Sequence, residues 1–282
     1  MKIVCDCNYI SYVEKFALST GLSYRGGHTE IIYGFLKQIL KLAQRFETNQ
    51  LIFCWDSKDS LRKKTYPEYK ANRRKDQTEE EKEANEIAYK QFNQLRRTVL
   101  PSMGFNNIFM QEGYEGDDLI AYIVRDHPCN VVITNDEDML QLLDNCNLYN
   151  ITKRSLTDKD EFIRAYGISP MDWVDVKSYA GCYSDNVKGL EGVGEKTVAK
   201  WLRGELKQTT KTYQKINSPE GWDIHRRNHP LVCLPLEGLP PIRLTKDSFL
   251  KKSFRDVFME YGFNSFLEND KFEKWIKAFN LR

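Results

Sequence analysis

The chain has 282 residues, 41% of them hydrophobic, with 42 Lys and Arg against 40 Asp and Glu, so its formal charge is only +2. That length buries a sizeable core in one large domain or in a larger and a smaller one, and the near-neutral total neither calls for nor excludes a nucleic-acid partner. No apolar run approaches the roughly 18 residues of a membrane span, Asp6 and Asn8 interrupt any signal-peptide core, and seven Cys without a paired CxxC fit a reducing cytoplasm rather than a disulfide scaffold.

In chain order, residues 2–6 predict a strand ending in Asp6, and residues 29–46 an amphipathic helix with Ile31, Ile32, Phe35, Ile39, Leu40 and Leu42 on its apolar side. A second strand, 51–55, runs into Asp56. The segment 57–78 is polar, holds Pro67 and lacks a core stripe, which predicts an exposed loop or arch. Its charge is segregated: over 62–75, Arg62, Lys63, Lys64, Lys70, Arg73, Arg74 and Lys75 stand against Glu68 alone. An ordinary solvated loop is the plain reading; contact with phosphates, and so salt-dependent binding, is the sharper one. A helix follows over 79–100, stopped by Pro101. The strand 107–110 leads to Glu115, Asp117 and Asp118 at the head of a buried helix, and the strand 131–134 leads to Asp136, Glu137 and Asp138.

Carboxylates at a helix N-terminus gain from the macrodipole, which accounts for one or two of these acids but not for a second cluster. Alternating strands and helices over about 150 residues predict a three-layer α/β domain with a mostly parallel sheet. Ligands of such sheets sit at the carboxyl edge, where Asp6, Asp56 and both acidic clusters converge. Two unit charges 4 Å apart cost on the order of 4 kcal/mol at an effective dielectric of about 20, so this gathering needs cations or several protons, and divalent metal is the favoured answer. An all-oxygen ligand set favours Mg²⁺ or Mn²⁺ over zinc, and a pair of such ions is the usual apparatus for hydrolysing phosphodiesters.

After Pro170 a helix is expected over 172–180, then a polar turn, then Gly192-Val193-Gly194 before another helix, a turn that bares backbone N–H groups to an anion. Residues 169–282 carry a net +4 and residues 1–168 a net −2. His225 and His229 lack Cys or acidic companions in sequence and read as surface histidines. Cys5, Cys54 and Cys129 read as packing residues of strands, and Trp173, Trp201, Trp222 and Trp275 as core of a second domain.

Five motifs occur in an order that resembles the 5′ nuclease family: flap endonucleases, the 5′-to-3′ nuclease domain of DNA polymerase I and small stand-alone bacteriophage relatives. They are Asp6 with Asn8, Asp56 followed by Arg62, Tyr69-Lys70-Ala71-Asn72-Arg73, Glu115-x-Asp117-Asp118, and Asp136-x-Asp138. Ser184-Asp185-Asn186 leading into Gly189-Leu190-Glu191-Gly192-Val193-Gly194 is similar to the family's helix-hairpin-helix element. The likeness runs from Lys2 to about Trp201, and beyond it 231–244 is faintly similar to the strand-like tail of polymerase-type members.

The resemblance implies a PIN-like α/β nuclease domain over 1–168, with a basic arch at about 57–98, and a helix-hairpin-helix domain with a tail over 169–282. It implies two Mg²⁺ ions, replaceable by Mn²⁺. Asp6, Asp56, Glu115 and Asp117 would surround the first, and Asp118, Asp136, Asp138 and Asp185 the second. Lys70 and Arg73 would reach the scissile phosphate, and Tyr69 would stack on a base. Arg62, Lys63, Lys64 and Arg74 would contact DNA from the arch. Gly189, Gly192, Val193, Gly194, Lys196 and Thr197 would grip duplex backbone, with a K⁺ ion on the hairpin carbonyls. The implied substrates are branched or flapped DNA and RNA primers in RNA/DNA hybrid. The implied setting is a monomer in the cytoplasm, of the host if viral, working beside replication proteins. One position departs from the family: Gly181-Cys182-Tyr183-Ser184-Asp185 puts Cys182 where a second-ion carboxylate is usual. That substitution motivates the alternative of a non-catalytic junction-binding protein with a degraded second site.

Overall fold

Short runs of β-branched and aromatic residues build the centre of the molecule, which a computed structural model describes over residues 1–17, 22–74, 77–127 and 130–282. Strands β1 (Ile3–Asp6), β2 (Leu51–Cys54), β3 (Ile108–Phe109), β4 (Asn130–Ile133) and β5 (Cys146–Asn150) lie parallel in the order β3-β2-β1-β4-β5. A sixth, β6 (Ser155–Thr157), closes the edge antiparallel to β5. Every residue of β2 and β4 is buried, as in parallel sheets covered on both faces.

Side chains alternate along each strand and so divide two cores. Ile3, Cys5, Leu51, Phe53, Val131 and Ile133 face one layer, while Val4, Ile52, Cys54 and Val132 face the other. The first layer holds the helices Cys7–Ala17 and Glu30–Arg45 and, unexpectedly, the helices Lys251–Glu260 and Asn269–Phe279 from the end of the chain. Phe254, Phe258, Trp275 and Phe279 are fully buried there, Phe279 edge-on to Phe105. The opposite layer holds the helix Gly116–Asp126 together with Trp173, Val176, Val198 and Ile216. Packing is therefore continuous across residue 168. Trp173 and Trp275 serve the two sides of the sheet rather than a separate core, and Trp222 is 58% exposed.

Two local expectations shift. The helix from Glu79, opened by a Thr78–Glu81 capping box, passes through a wider π-helical turn at Leu95–Val99 and continues over Pro101 to Ser102. Residues 57–74 are not a uniformly exposed loop: they contain the short helix Arg62–Thr65 and a 3-10 turn, Ala71–Arg74, and Arg62 and Tyr69 are each 2% exposed. Residues 233–250 form an unpaired strap rather than strands, with Leu234, Leu239, Ile242 and Leu244 against the second core. Cys5 and Cys54 are buried in their strands, whereas Cys129 lies outside the described residues. No helix among the described residues is long and apolar enough to cross a membrane.

Candidate active site

Strands β1, β2 and β4 end at one edge, and each delivers a carboxylate there. Asp6 closes β1; its Oδ1 accepts the Tyr9 N–H (2.9 Å) and its Oδ2 the Thr134 hydroxyl just past β4 (3.1 Å). Asp56, two residues beyond β2, accepts the Gly116 N–H on Oδ1 (2.7 Å), while its own N–H donates to the Asn8 side chain (3.2 Å). Past β4, Asp136 accepts the Asp138 N–H (2.8 Å) and so opens the 3-10 helix Glu137–Leu142. The helix Gly116–Asp126 aims its N-terminus at the same edge and adds Glu115 and Asp117.

Crowding like charges out of water raises their pKa values. Burial first, then the Asp56 carboxylate, pushes Asp6 up to about 7. Asp117 is driven well above the usual carboxylate range by burial and by Asp136 and Asp6. Asp138 rises to about 6 through burial and Asp136, although the Lys177 ammonium pulls the other way. Glu115 goes down: burial opposes its charge, but Lys70 and Arg62 outweigh burial.

These shifts carry a testable consequence. A carboxyl whose folded pKa lies above its unfolded value loses stability as pH rises from the unfolded pKa through the folded one. In EDTA, Asp6 and its neighbours should therefore lower the thermal midpoint progressively between pH 3.8 and about 7. Saturating divalent ion should recover most of that loss above pH 7 and little below pH 4. A midpoint equally insensitive to metal at both ends of the range would contradict the crowded-charge reading.

The base of the basic segment is fastened across this cleft to the turn Tyr183–Asp185. The Tyr69 hydroxyl lies 3.1 Å from Glu115 Oε2 and 3.0 Å from Asp185 Oδ2, and Lys70 Nζ donates to Glu115 Oε2 (2.6 Å). Arg73 donates to Asp185 Oδ1 (2.6 Å), the Lys70 N–H to the Asp185 carbonyl (2.8 Å), and the Asn186 side chain to the Glu68 carbonyl (2.8 Å).

Three expected roles change on this geometry. Asp118 is fully buried and spends both oxygens on the Arg62 guanidinium (2.7 and 2.8 Å), while also accepting the N–H of Glu115 and of Leu236. It has nothing left for an ion. Arg62, equally buried, completes its donors on the Leu231 and Cys233 carbonyls and cannot reach DNA. Tyr69, with its ring packed against Cys182, Val187 and Leu231, offers no face to a base. Lys63, Lys64 and Arg73 are exposed; the Arg74 side chain is outside the described part.

Past the helix Trp173–Ala180 the chain doubles back tightly, and an added Cβ at Gly189 would stand 2.0 Å from the Ala180 carbonyl oxygen, so only glycine fits. Leu190 N–H bonds the Tyr179 carbonyl (2.7 Å), Gly192 takes φ +75°, and Gly194 precedes the helix Glu195–Leu202. Gly192, Gly194 and Lys196 face solvent and Thr197 is half-buried. The Val193 side chain is in the core, leaving only its backbone to a ligand.

Asp138, Cys182 and Asp185 meet, with Sγ and one oxygen of each acid all within 4.8 Å of one another. Lys177 was missed by sequence reasoning: its Nζ sits 3.2 Å from Asp138 Oδ1 and 2.9 Å from Glu195 Oε1. One lysine on a short helix gave no signal. His225 bonds Asp175 (2.7 Å) and borders a shallow surface cavity beside Trp222.

A family model described as the 5′-3′ exonuclease N-terminal resolvase-like domain matches residues 2–167. The DNA polymerase I of Bacillus caldotenax is 27% identical over 292 residues, covering 94% of this chain and 32% of its own, so the chain spans about a third of that relative's length. Among solved structures, the bacteriophage T5 5′-exonuclease with bound zinc superposes with a TM-score of 0.70 at 24% identity, over 83% of this chain and 89% of that one. The T5 flap endonuclease in a pseudo-enzyme–product complex with DNA and metal ions gives 0.67 at 21% identity, over 98% of both. At these identities the structural likeness concerns the fold.

Proposed function

The chain belongs to the 5′-3′ exonuclease family, and from that premise we propose that it is a structure-specific 5′ nuclease, hydrolysing phosphodiester bonds of flapped or 5′-frayed duplex DNA and of RNA primers. The observation that carries the reading is the convergence of Asp6, Asp56, Asp117 and Asp136 at one sheet edge, with carboxyls held above their usual pKa range at Asp6 and Asp117. Asp138 Oδ1, buried with no aligned hydrogen bond and only the Lys177 ammonium 3.2 Å away, fits the same need for cations.

In this reading Asp6, Asp56, Glu115 and Asp117 hold one divalent ion, and Asp136, Asp138 and Asp185 a second, without Asp118. Bound ions of this kind lower the pKa of a water nucleophile and stabilise charge developing on the phosphate. Lys70 and Arg73, now paired with Glu115 and Asp185, stand at the cleft as donors to the scissile phosphate. Exposed Lys63 and Lys64 contact phosphates of the strand passing the arch. The turn 189–194, with Lys196 and Thr197, takes duplex backbone on its N–H groups, and its carbonyls take K⁺. Residues 1–168 thus supply most of the chemistry, and 169–282 add Asp185 and much of the grip, in a monomer working with replication proteins.

The test is to size the products from a 5′-labelled flap duplex, a 5′-recessed duplex and an RNA-primed duplex in Mg²⁺, Mn²⁺ or EDTA. The reading expects metal-dependent cuts near the junction and at the primer. Tight flap binding without cleavage in either metal would favour a junction-binding protein.

A further inference from the structure

Cys182 belongs to a two-residue strand, Gly181–Cys182, paired antiparallel with Val187–Lys188, so its side chain is fixed by a ladder rather than carried on a free loop. It is 6% exposed and faces Asp138 and Asp185, themselves 8% and 7% exposed. Two donors come from the stretch 182–185 and the third from the 3-10 helix after β4, and their ligand atoms lie within 4.8 Å of one another. A second observation points to a ligand: Asp138 Oδ1 is buried in this group with no aligned hydrogen bond and meets Lys177 only as an ion pair. The Lys177 ammonium lies 3.2 Å from that oxygen but is aligned instead on Glu195. The Ser184 hydroxyl lies 3.0 Å from the sulfur, and Asp185 also meets the Tyr69 hydroxyl (3.0 Å), Arg73 (2.6 Å) and the Lys70 ammonium (3.6 Å).

We propose that Asp138, Cys182 and Asp185 form a mixed sulfur–oxygen cation site that selects a borderline or soft divalent ion, such as Zn²⁺, Co²⁺ or Cd²⁺, over Mg²⁺. Mg²⁺ demands near-octahedral oxygen donors and parts reluctantly with its water. A thiolate shifts preference toward softer ions. The proposal rests on the reading of the cleft as a divalent-metal centre.

Co²⁺ titration of the purified full-length protein separates the two claims. Visible d–d bands report bound Co²⁺ of any ligation, and a near-ultraviolet sulfur-to-cobalt charge-transfer band reports thiolate ligation. The proposal expects both in the wild type. In Cys182→Ser and Cys182→Asp the charge-transfer band should vanish while d–d bands persist. Competition should also show Cys182→Asp losing Cd²⁺ affinity, relative to Mg²⁺, by at least about tenfold. A d–d spectrum without the charge-transfer band, or a charge-transfer band surviving both substitutions, overturns sulfur ligation by Cys182 and leaves the metal-centre reading standing. Absence of any bound Co²⁺ at saturation overturns both.

Discussion

Asp118→Ala is expected to destabilise the protein by about 3–5 kcal/mol, in EDTA as much as in Mg²⁺. The Arg62–Asp118 pair is bidentate, with both side chains out of solvent. Removing the carboxylate strands a buried guanidinium and orphans the N–H groups of Glu115 and Leu236. The pair also ties three distant segments: the base of the arch, the start of the helix Gly116–Asp126, and the junction at Leu231 and Cys233 where the helix Pro219–Val232 passes into the strap. Arg62→Met combined with Asp118→Leu should recover part of the loss, because an apolar pair of similar volume needs no partner. Urea unfolding of the variants with and without metal is the check. A loss confined to metal-loaded protein would mean that Asp118 acts as a ligand after all.

Asp56→Asn should lower turnover by about 10²- to 10³-fold or more while leaving flap binding and folding intact. The amide oxygen of Asn can still accept the Gly116 N–H that Asp56 Oδ1 accepts at 2.7 Å, so the helix start keeps its contact. What is lost is one negative charge at the mouth of the cleft. Single-turnover cleavage and fluorescence binding on the same flap substrate separate the effects. Turnover within a few-fold of wild type would remove Asp56 from the chemistry, and lost binding would make its role structural.

The sheet and its acidic edge were legible because parallel strands are short apolar runs, and the acids stand where those runs stop. Cys182 stood out only through the resemblance, as a thiol where the family usually has a carboxylate. Arg62 and Tyr69 were not legible. They lie in a basic stretch with no apolar period, and what buries them, Asp118 and Leu231 for one, Glu115 and Asp185 for the other, is remote in sequence. Periodicity reads burial of hydrophobes; it is blind to a charged side chain buried by a single distant partner. Asp117 and Asp118 show the same limit, since adjacent residues on a helix point about 100° apart and only packing tells which one meets Arg62. The helices near the C-terminus were not read from the sequence, and nothing local told that Phe254 and Trp275 would close the far face of the sheet.

The central claim, that this cleft hydrolyses DNA through divalent ions held by its carboxylates, is tested most directly by a metal jump. A complex of the protein with a 5′-labelled flap duplex is formed in EDTA and then mixed rapidly with excess Mg²⁺ or Mn²⁺. The account predicts an intact substrate before mixing and, from the prebound complex, a burst of cleavage at the junction afterwards. A complex that forms tightly and stays uncut in both metals would contradict it.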